Sequence, residues 1–527
     1  MTGSPASAGP WPRAQRGEAE RSPGEVHVFA DYHGELRDAA DVVVVGSGPC
    51  GAVVAKELAE AGRSVVLLEE GPPFTPEDFV LDGALSMART MREAGLRTTR
   101  GHVMPTMQAI ALGGGSLVNS AICVRPPAFV FDAWATQFEL SHTSRADLDP
   151  HFDAVEAFLG IAPTPDAVQG RRNLLFREGC ATLGIESEPI ARNVRGCRGS
   201  GECFTGCRAR AKQSMDLSYV PAAIRAGARV YTSLRVEGLL HSGRRVTGVR
   251  GRVVAPFSGA PGPALTVEAK AVVLAAGCMA TPLLLFASGL ANSSGQVGRN
   301  LQFHPGVAVM GVFPDRVDPQ FGATQGMQSL HFLREGFKLE TLWAPPAVLA
   351  VRLPGAGLAL KERLAEIPFA SIVDAIASCH RSLGSVRPRR RGSLDPVLSW
   401  RPHPDDLPVL GHALEVIVDV LFAAGARKVL PGVHGLPDEM VPGDSALLRG
   451  RSYRPTDFVM AANHAFCTTR MHGDPRQGVV DEWGRCHDLD NLYLADTGVF
   501  PRCTSVNPMF TGMALAHRTA QHLHDRL

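Results

Sequence analysis

A cluster of glycines between a run of branched residues and a helical stretch is where this chain's spacing first suggests chemistry. Gly46-Ser47-Gly48-Pro49-Cys50-Gly51 follows the branched residues 41–45 and precedes Val53, Val54, Leu58 and Ala61, which recur at helical spacing. Gly46 permits the tight turn, Gly48 lets backbone N–H groups approach a pyrophosphate at the helix N-terminus, and Gly51 allows close helix packing. Glu69 ends the next branched run, where its carboxylate can accept bonds from an adenosine ribose. The unit reads as strand, turn, helix, strand with a dinucleotide at the turn, and this motif alone serves FAD and NAD equally.

Further on stand Gly113-Gly114-Gly115-Ser116-Leu117-Val118-Asn119. Consecutive glycines let backbone lie against a flat ring or phosphate, and Asn119 adds an amide donor and acceptor, so this second cluster favours a flavin. Cys197, Cys203 and Cys207 lie close together in a Gly-containing loop. Three thiols can suit a soft metal or a three-iron cluster, but the spacing is read here as a covering loop with no metal.

The elements that hold these groups fit a large α/β enzyme. The 527 residues are 45% hydrophobic and 20% charged, which excludes a chain disordered throughout. A net charge of +1 gives no field to draw in nucleic acid, and the 55 glycines and 39 prolines imply many loops. Eleven scattered cysteines favour reduced thiols. No secretory pattern marks residues 1–25, so a cytoplasmic enzyme is expected. The longest apolar stretch, 412–426, is interrupted by Glu415 and Asp419; it reads as an amphipathic helix closed by Gly425, with no membrane span. A second buried strand is expected at 271–275 with a helix after it, so the nucleotide domain is discontinuous. The basic run Arg387-Pro388-Arg389-Arg390-Arg391 reads as a solvated loop.

Four segments together resemble the glucose-methanol-choline (GMC) family of FAD-dependent alcohol oxidoreductases. They are Gly46 to Glu69; Gly113 to Asn119; residues 297–305; and the tail from His464 through Asp496-Thr497-Gly498 to Val506-Asn507-Pro508. The motifs look most like the cholesterol oxidase and long-chain alcohol oxidase branch, which implies a bulky apolar alcohol as substrate and dioxygen or another acceptor for the electrons. The resemblance implies that His464 is the active-site base and Asn507 its partner: a neutral imidazole accepts the hydroxyl proton while the amide holds the oxygen. It further implies that Gly46, Gly48, Gly51, Glu69, Gly114, Gly115, Ser116, Asn119, Val236, Asp496 and Pro508 bind FAD. The chain departs from the family after the histidine, where Cys467-Thr468-Thr469 replaces the usual Gly-Thr-Cys or Gly-Gly-Cys. His472, which precedes Gly473, is a second candidate for the base. Because the family includes redox-neutral hydroxynitrile lyases and dehydrogenase subunits that relay electrons to a protein, these are the rival functions.

The expected architecture is α/β: a discontinuous Rossmann-like FAD domain (40–125, 215–309 and 455–527) and a substrate domain (310–454) on a mostly antiparallel sheet with flanking helices. A flexible leader (1–39) and a covering segment with the Cys-rich loop (126–214) complete the chain.

Overall fold

The computed structural model describes residues 24–462 and 464–527. Its first sheet grows from the branched runs. Leu36–Val45 pairs in parallel with Val65–Leu68 on one side and with Pro261–Leu274 on the other. Arg229–Tyr231 and the edge strand Val26–His27 extend the sheet in parallel beyond Val65–Leu68. The long strand Pro261–Leu274 then divides its free edge. Its first part pairs antiparallel with Arg245–Val254, which turns back to Leu234–Ser242, and Val272 to Leu274 pair in parallel with Leu492–Leu494. The sheet is thus assembled from three stretches far apart in sequence. Val42, Val43, Val44, Val65, Val66 and Leu67 are fully buried, as continuous branched runs must be in a covered parallel sheet. Helix Pro49–Glu60 packs on the last helix, Met509–His524, and both join this core.

Residues 26–40 correct the expectation of a flexible leader as far as they are described; residues 1–23 lie outside the described residues. Leu36 to Ala39 pair with Leu265 to Glu268, and the charge of Asp38 is met within the sheet by Arg229 Nε at 2.9 Å and Tyr231 Oη at 2.8 Å. Polar residues on this strand therefore mark an internally paired edge region instead of a tail.

The second sheet has six strands, all antiparallel, in the order Lys428–Leu430, Gly306–Val312, Ala370–Ala377, Phe337–Leu342, Met327–Ser329, Glu188–Pro189. One face packs on helix Leu407–Ala423, which starts earlier than its apolar periodicity suggested, and on helix Gly170–Thr182. Phe337, Leu339, Val373 and Ala375 enter that core with Leu410, Leu414 and Ile417. The period of two turns Lys338, Glu340 and Asp374 to the opposite face. Helix Gly170–Thr182 and strand Glu188–Pro189 come from the stretch expected only to cover the site, and they are built into this sheet instead. Among the described residues, no helix is long and apolar enough to cross a membrane.

Candidate active site

The two glycine loops and the C-terminal ends of the parallel strands enclose a cavity of about 950 Å³. Gly46 turns the chain at φ +103°, a left-handed value, and a Cβ there would lie 2.3 Å from the Ala275 carbonyl oxygen. A Cβ on Gly51 would stand 1.9 Å from Gly46 O. Gly48 and Gly115 differ: a Cβ on either would meet nothing within 4 Å, and both residues line the cavity. Bare backbone and the start of helix Pro49–Glu60 therefore face open space shaped for an anion such as a pyrophosphate.

Glu69 lines the same cavity and ties the loops together. It accepts bonds from Ser47 N at 2.9 Å, Ser47 Oγ at 2.6 Å and Gly71 N at 2.8 Å. Ser47 Oγ in turn accepts from Gly113 N at 2.9 Å. Burial pushes the Glu69 carboxyl up, and three donors leave a carboxylate with acceptor capacity for a ribose hydroxyl. Val236 and Asp496 also line the cavity. The Asp496 carboxylate braces neighbouring loops through Gly277 N, Thr281 Oγ and Gly498 N.

Ser116 and Asn119 spend their side chains inside the structure. Ser116 Oγ donates to Gly113 O and accepts from Met215 N, while Asn119 Oδ1 accepts from Ala121 N and its Nδ2 lies 3.0 Å from Met509 Sδ. Gly114 lines the cavity and packs so closely on Gly48 that a Cβ would come within 2.7 Å of its Cα. Pro508 precedes the last helix, whose first residue, Met509, lines the cavity.

His464 and Asn507 lie outside the lining of this cavity, in one polar cluster beside it; Ala465, next to His464, and Met509, two residues after Asn507, do line it. Asn507 Oδ1 accepts from Lys338 Nζ at 2.6 Å, and Lys338 Nζ pairs with Glu340 Oε2 at 2.8 Å. The Glu340 carboxylate also accepts from Gln325 Nε2 at 2.8 Å. Burial lowers the His464 imidazole to about 4, with Lys338 adding to the effect and Glu340 opposing it. Asp374, opposite Glu340 in register, is driven well above the usual carboxylate range by burial and by Glu340.

The proton positions on the histidines follow from their partners. His304 Nε2 faces the Thr504 carbonyl oxygen, which only accepts, so that nitrogen carries the hydrogen. Burial, with His464 next, holds His304 neutral, leaving its Nδ1 with a lone pair. His464 Nδ1 lies 3.3 Å from that atom and must donate to it. Nε2 of His464 is thereby left as the bare, proton-accepting nitrogen.

The loop after His464 keeps a left-handed residue despite the sequence departure. Cys467 adopts φ +73°, at a cost of roughly 1–2 kcal/mol for a non-glycine, with its Sγ donating to Gln302 Oε1 at 3.5 Å. His472 stands apart from the cluster, its Nδ1 accepting from Asp474 N at 3.0 Å. Cys197, Cys203 and Cys207 line one small pocket with Arg192 and Lys212. All eleven thiols are free, and Lys212 Nζ ties this loop to the glycine loop through Leu117 O, Asn119 O and Cys203 O.

Lys338, Glu340 and His304 had no assigned role in the sequence, although the strict apolar-charged alternation of Phe337-Lys338-Leu339-Glu340 is a signal for the first two. The basic run is exposed at Arg389, Arg390 and Arg391, yet the same turn sends Gly392, Ser393, Leu394 and Asp395 to the cavity wall.

The parallel sheet, the glycine turn and the buried Glu69 carboxylate share one cavity, with the buried His464 beside it, an arrangement that fits a dinucleotide-dependent oxidoreductase. Its family is equally clear: two GMC oxidoreductase models match residues 40–306 and 380–516, and the chain belongs to that family. An uncharacterized GMC-type oxidoreductase of Mycobacterium tuberculosis is 35% identical over 96% of this chain and 79% of its own length. A long-chain-alcohol oxidase of Arabidopsis thaliana is 28% identical over 95% of this chain and 70% of its own. Pyridoxine 4-oxidase shares the fold with a TM-score of 0.70 at 20% identity, over 92% of this chain and 99% of that one. The protein is therefore an FAD-dependent enzyme of the GMC type, acting on CH–OH donors.

Proposed function

We propose that the enzyme oxidises a bulky apolar alcohol, such as a long-chain or sterol-like alcohol, to an aldehyde or ketone. The observation that carries this reading is the histidine relay, in which Thr504 O and His304 leave His464 Nε2 as a neutral base, in the same buried cluster as Asn507. In the reaction His464 Nε2 takes the hydroxyl proton and Asn507 holds the oxygen, aligning the carbinol C–H. FAD, when bound, supplies the acceptor for the hydride that leaves this carbon. Gly46, Gly48, Gly114 and Gly115 would cradle its phosphates and ring, Gly51 letting the helix pack close behind them, with Glu69 at the ribose, Val236 at the adenine, and Asp496, Ser116, Asn119 and Pro508 shaping the loops around it.

The apolar substrate class is supported by likeness to long-chain-alcohol oxidases along nearly the whole chain. Dioxygen or another acceptor then reoxidises the cofactor, and the eleven free thiols favour a reducing, cytoplasmic setting. The test is to incubate holoenzyme with primary long-chain and sterol alcohols, in air and with an artificial electron acceptor, and to analyse the products by mass spectrometry. Aldehyde or ketone formation is expected. No carbonyl product, together with cleavage of a cyanohydrin, would replace this function with a redox-neutral lyase.

A further inference from the structure

Lys338 is a cation of the site cluster, and it is fully buried. Its neighbour on the same face of the strand, Glu340, is 2% exposed, and Asn507 is 6% exposed. Burying an ammonium is costly unless its hydrogens are used, and this one donates to Asn507 Oδ1 at 2.6 Å and pairs with Glu340 Oε2 at 2.8 Å. An ammonium has donors and no lone pair, so the Asn507 atom facing it must be the carbonyl oxygen. The amide's other end is thereby fixed as NH₂. Its protein contact is a long one, 3.5 Å to Glu340 Oε1, an oxygen already held by Gln325 Nε2 at 2.8 Å. An N–H is left to serve an oxygen that gains negative charge, whereas the flipped amide would present a carbonyl and repel it.

We propose that Lys338 is a positioning residue: anchored on the sheet by Glu340, it locks the Asn507 carboxamide so that the NH₂ group serves the substrate oxygen. This deepens the proposed alcohol oxidation and rests on it for its kinetic consequence. The lock itself is a property of the protein alone. Because Lys338 acts through Asn507, removing it should matter only while that amide is present.

The test is a double-mutant cycle on the holoenzyme, with Lys338→Met, Asn507→Ala and the pair, read by the anaerobic rate of flavin reduction by alcohol. Lys338→Met should slow reduction roughly 10- to 100-fold, in line with loss of a charge-assisted bond, with KM and FAD affinity little changed. Lys338→Gln, which keeps an N–H donor, should recover part of the rate. In the Asn507→Ala background, Lys338→Met should have almost no further effect. Equal losses in both backgrounds, or no loss in the first, overturn the proposal. If Lys338→Met does not fold because Glu340 is left unpaired, the same cycle is run with Glu340→Gln present throughout. If no alcohol reduces the flavin of the unaltered enzyme, the functional reading fails separately. The lock is then judged in protein labelled with ¹⁵N at asparagine, where the Asn507 NH₂ pair, identified by its loss in Asn507→Ala, should shift in Lys338→Met. An unchanged pair overturns it.

Discussion

The relay that leaves His464 as a bare base has a direct consequence for pH dependence. An exposed histidine is half protonated at 6.5, but burial lowers His464 to about 4. The sign follows from the depressed value: the neutral, proton-accepting form is present above pH 4 and is lost as pH falls through it. At pH 5 a group titrating at 4 is almost wholly neutral and one titrating at 6.5 almost wholly charged, a difference of roughly thirty-fold in active base. Perturbation by pH can therefore separate the two environments without a mutation. Holoenzyme kept at neutral pH is jumped anaerobically into buffers from acid to neutral, together with alcohol, and the loss of oxidised-flavin absorbance is followed by stopped flow. The reduction rate should hold through pH 6 and 5 and fall near 4. His464→Ala should remove this limb while lowering the rate by roughly 10²- to 10⁴-fold. An acid limb centred near 6.5 would refute the buried neutral base, and retention of full rate in His464→Ala would move the proton acceptor elsewhere.

The neighbouring residues give further expectations. His304→Phe removes the acceptor for His464 Nδ1, unpins its tautomer and should slow flavin reduction about ten-fold with FAD binding intact; rates equal to the unaltered enzyme would discount the relay. Gly48→Ala should leave the apoprotein's melting temperature unchanged but weaken FAD binding in a fluorescence titration, since its Cβ meets only the open cavity. Gly51→Ala should lower the melting temperature itself, because its Cβ collides with Gly46 O. Glu69→Ala strands the buried donors of Ser47 and Gly71 and should cost about 1–3 kcal/mol in chemical denaturation of the apoprotein, as well as weakening FAD binding.

The parts of the molecule legible in the sequence are those whose signal is local. Branched runs and the glycine turn declared the parallel sheet because strand period and turn geometry act over a few residues. Resemblance pointed to His464 and Asn507 through motifs that extend along the chain. Lys338 and Glu340 were hidden because alternation of apolar and charged residues normally signals a strand with one face in water. Here both faces are covered, one by helix Leu407–Ala423 and the other by a loop more than a hundred residues away. The edge of the first sheet was hidden for a similar reason: Asp38 finds Arg229 only once the strands are assembled. The left-handed Cys467 shows the converse, a backbone shape kept where the residue that usually signals it is absent.

Anaerobic titration of purified holoenzyme with long-chain, aromatic and sterol alcohols tests the central claim most directly. The account predicts stoichiometric bleaching of the flavin by an apolar alcohol, with carbonyl product formed one for one and colour returning when air or another acceptor is admitted. A flavin that stays oxidised with every alcohol while the protein cleaves a cyanohydrin would contradict it.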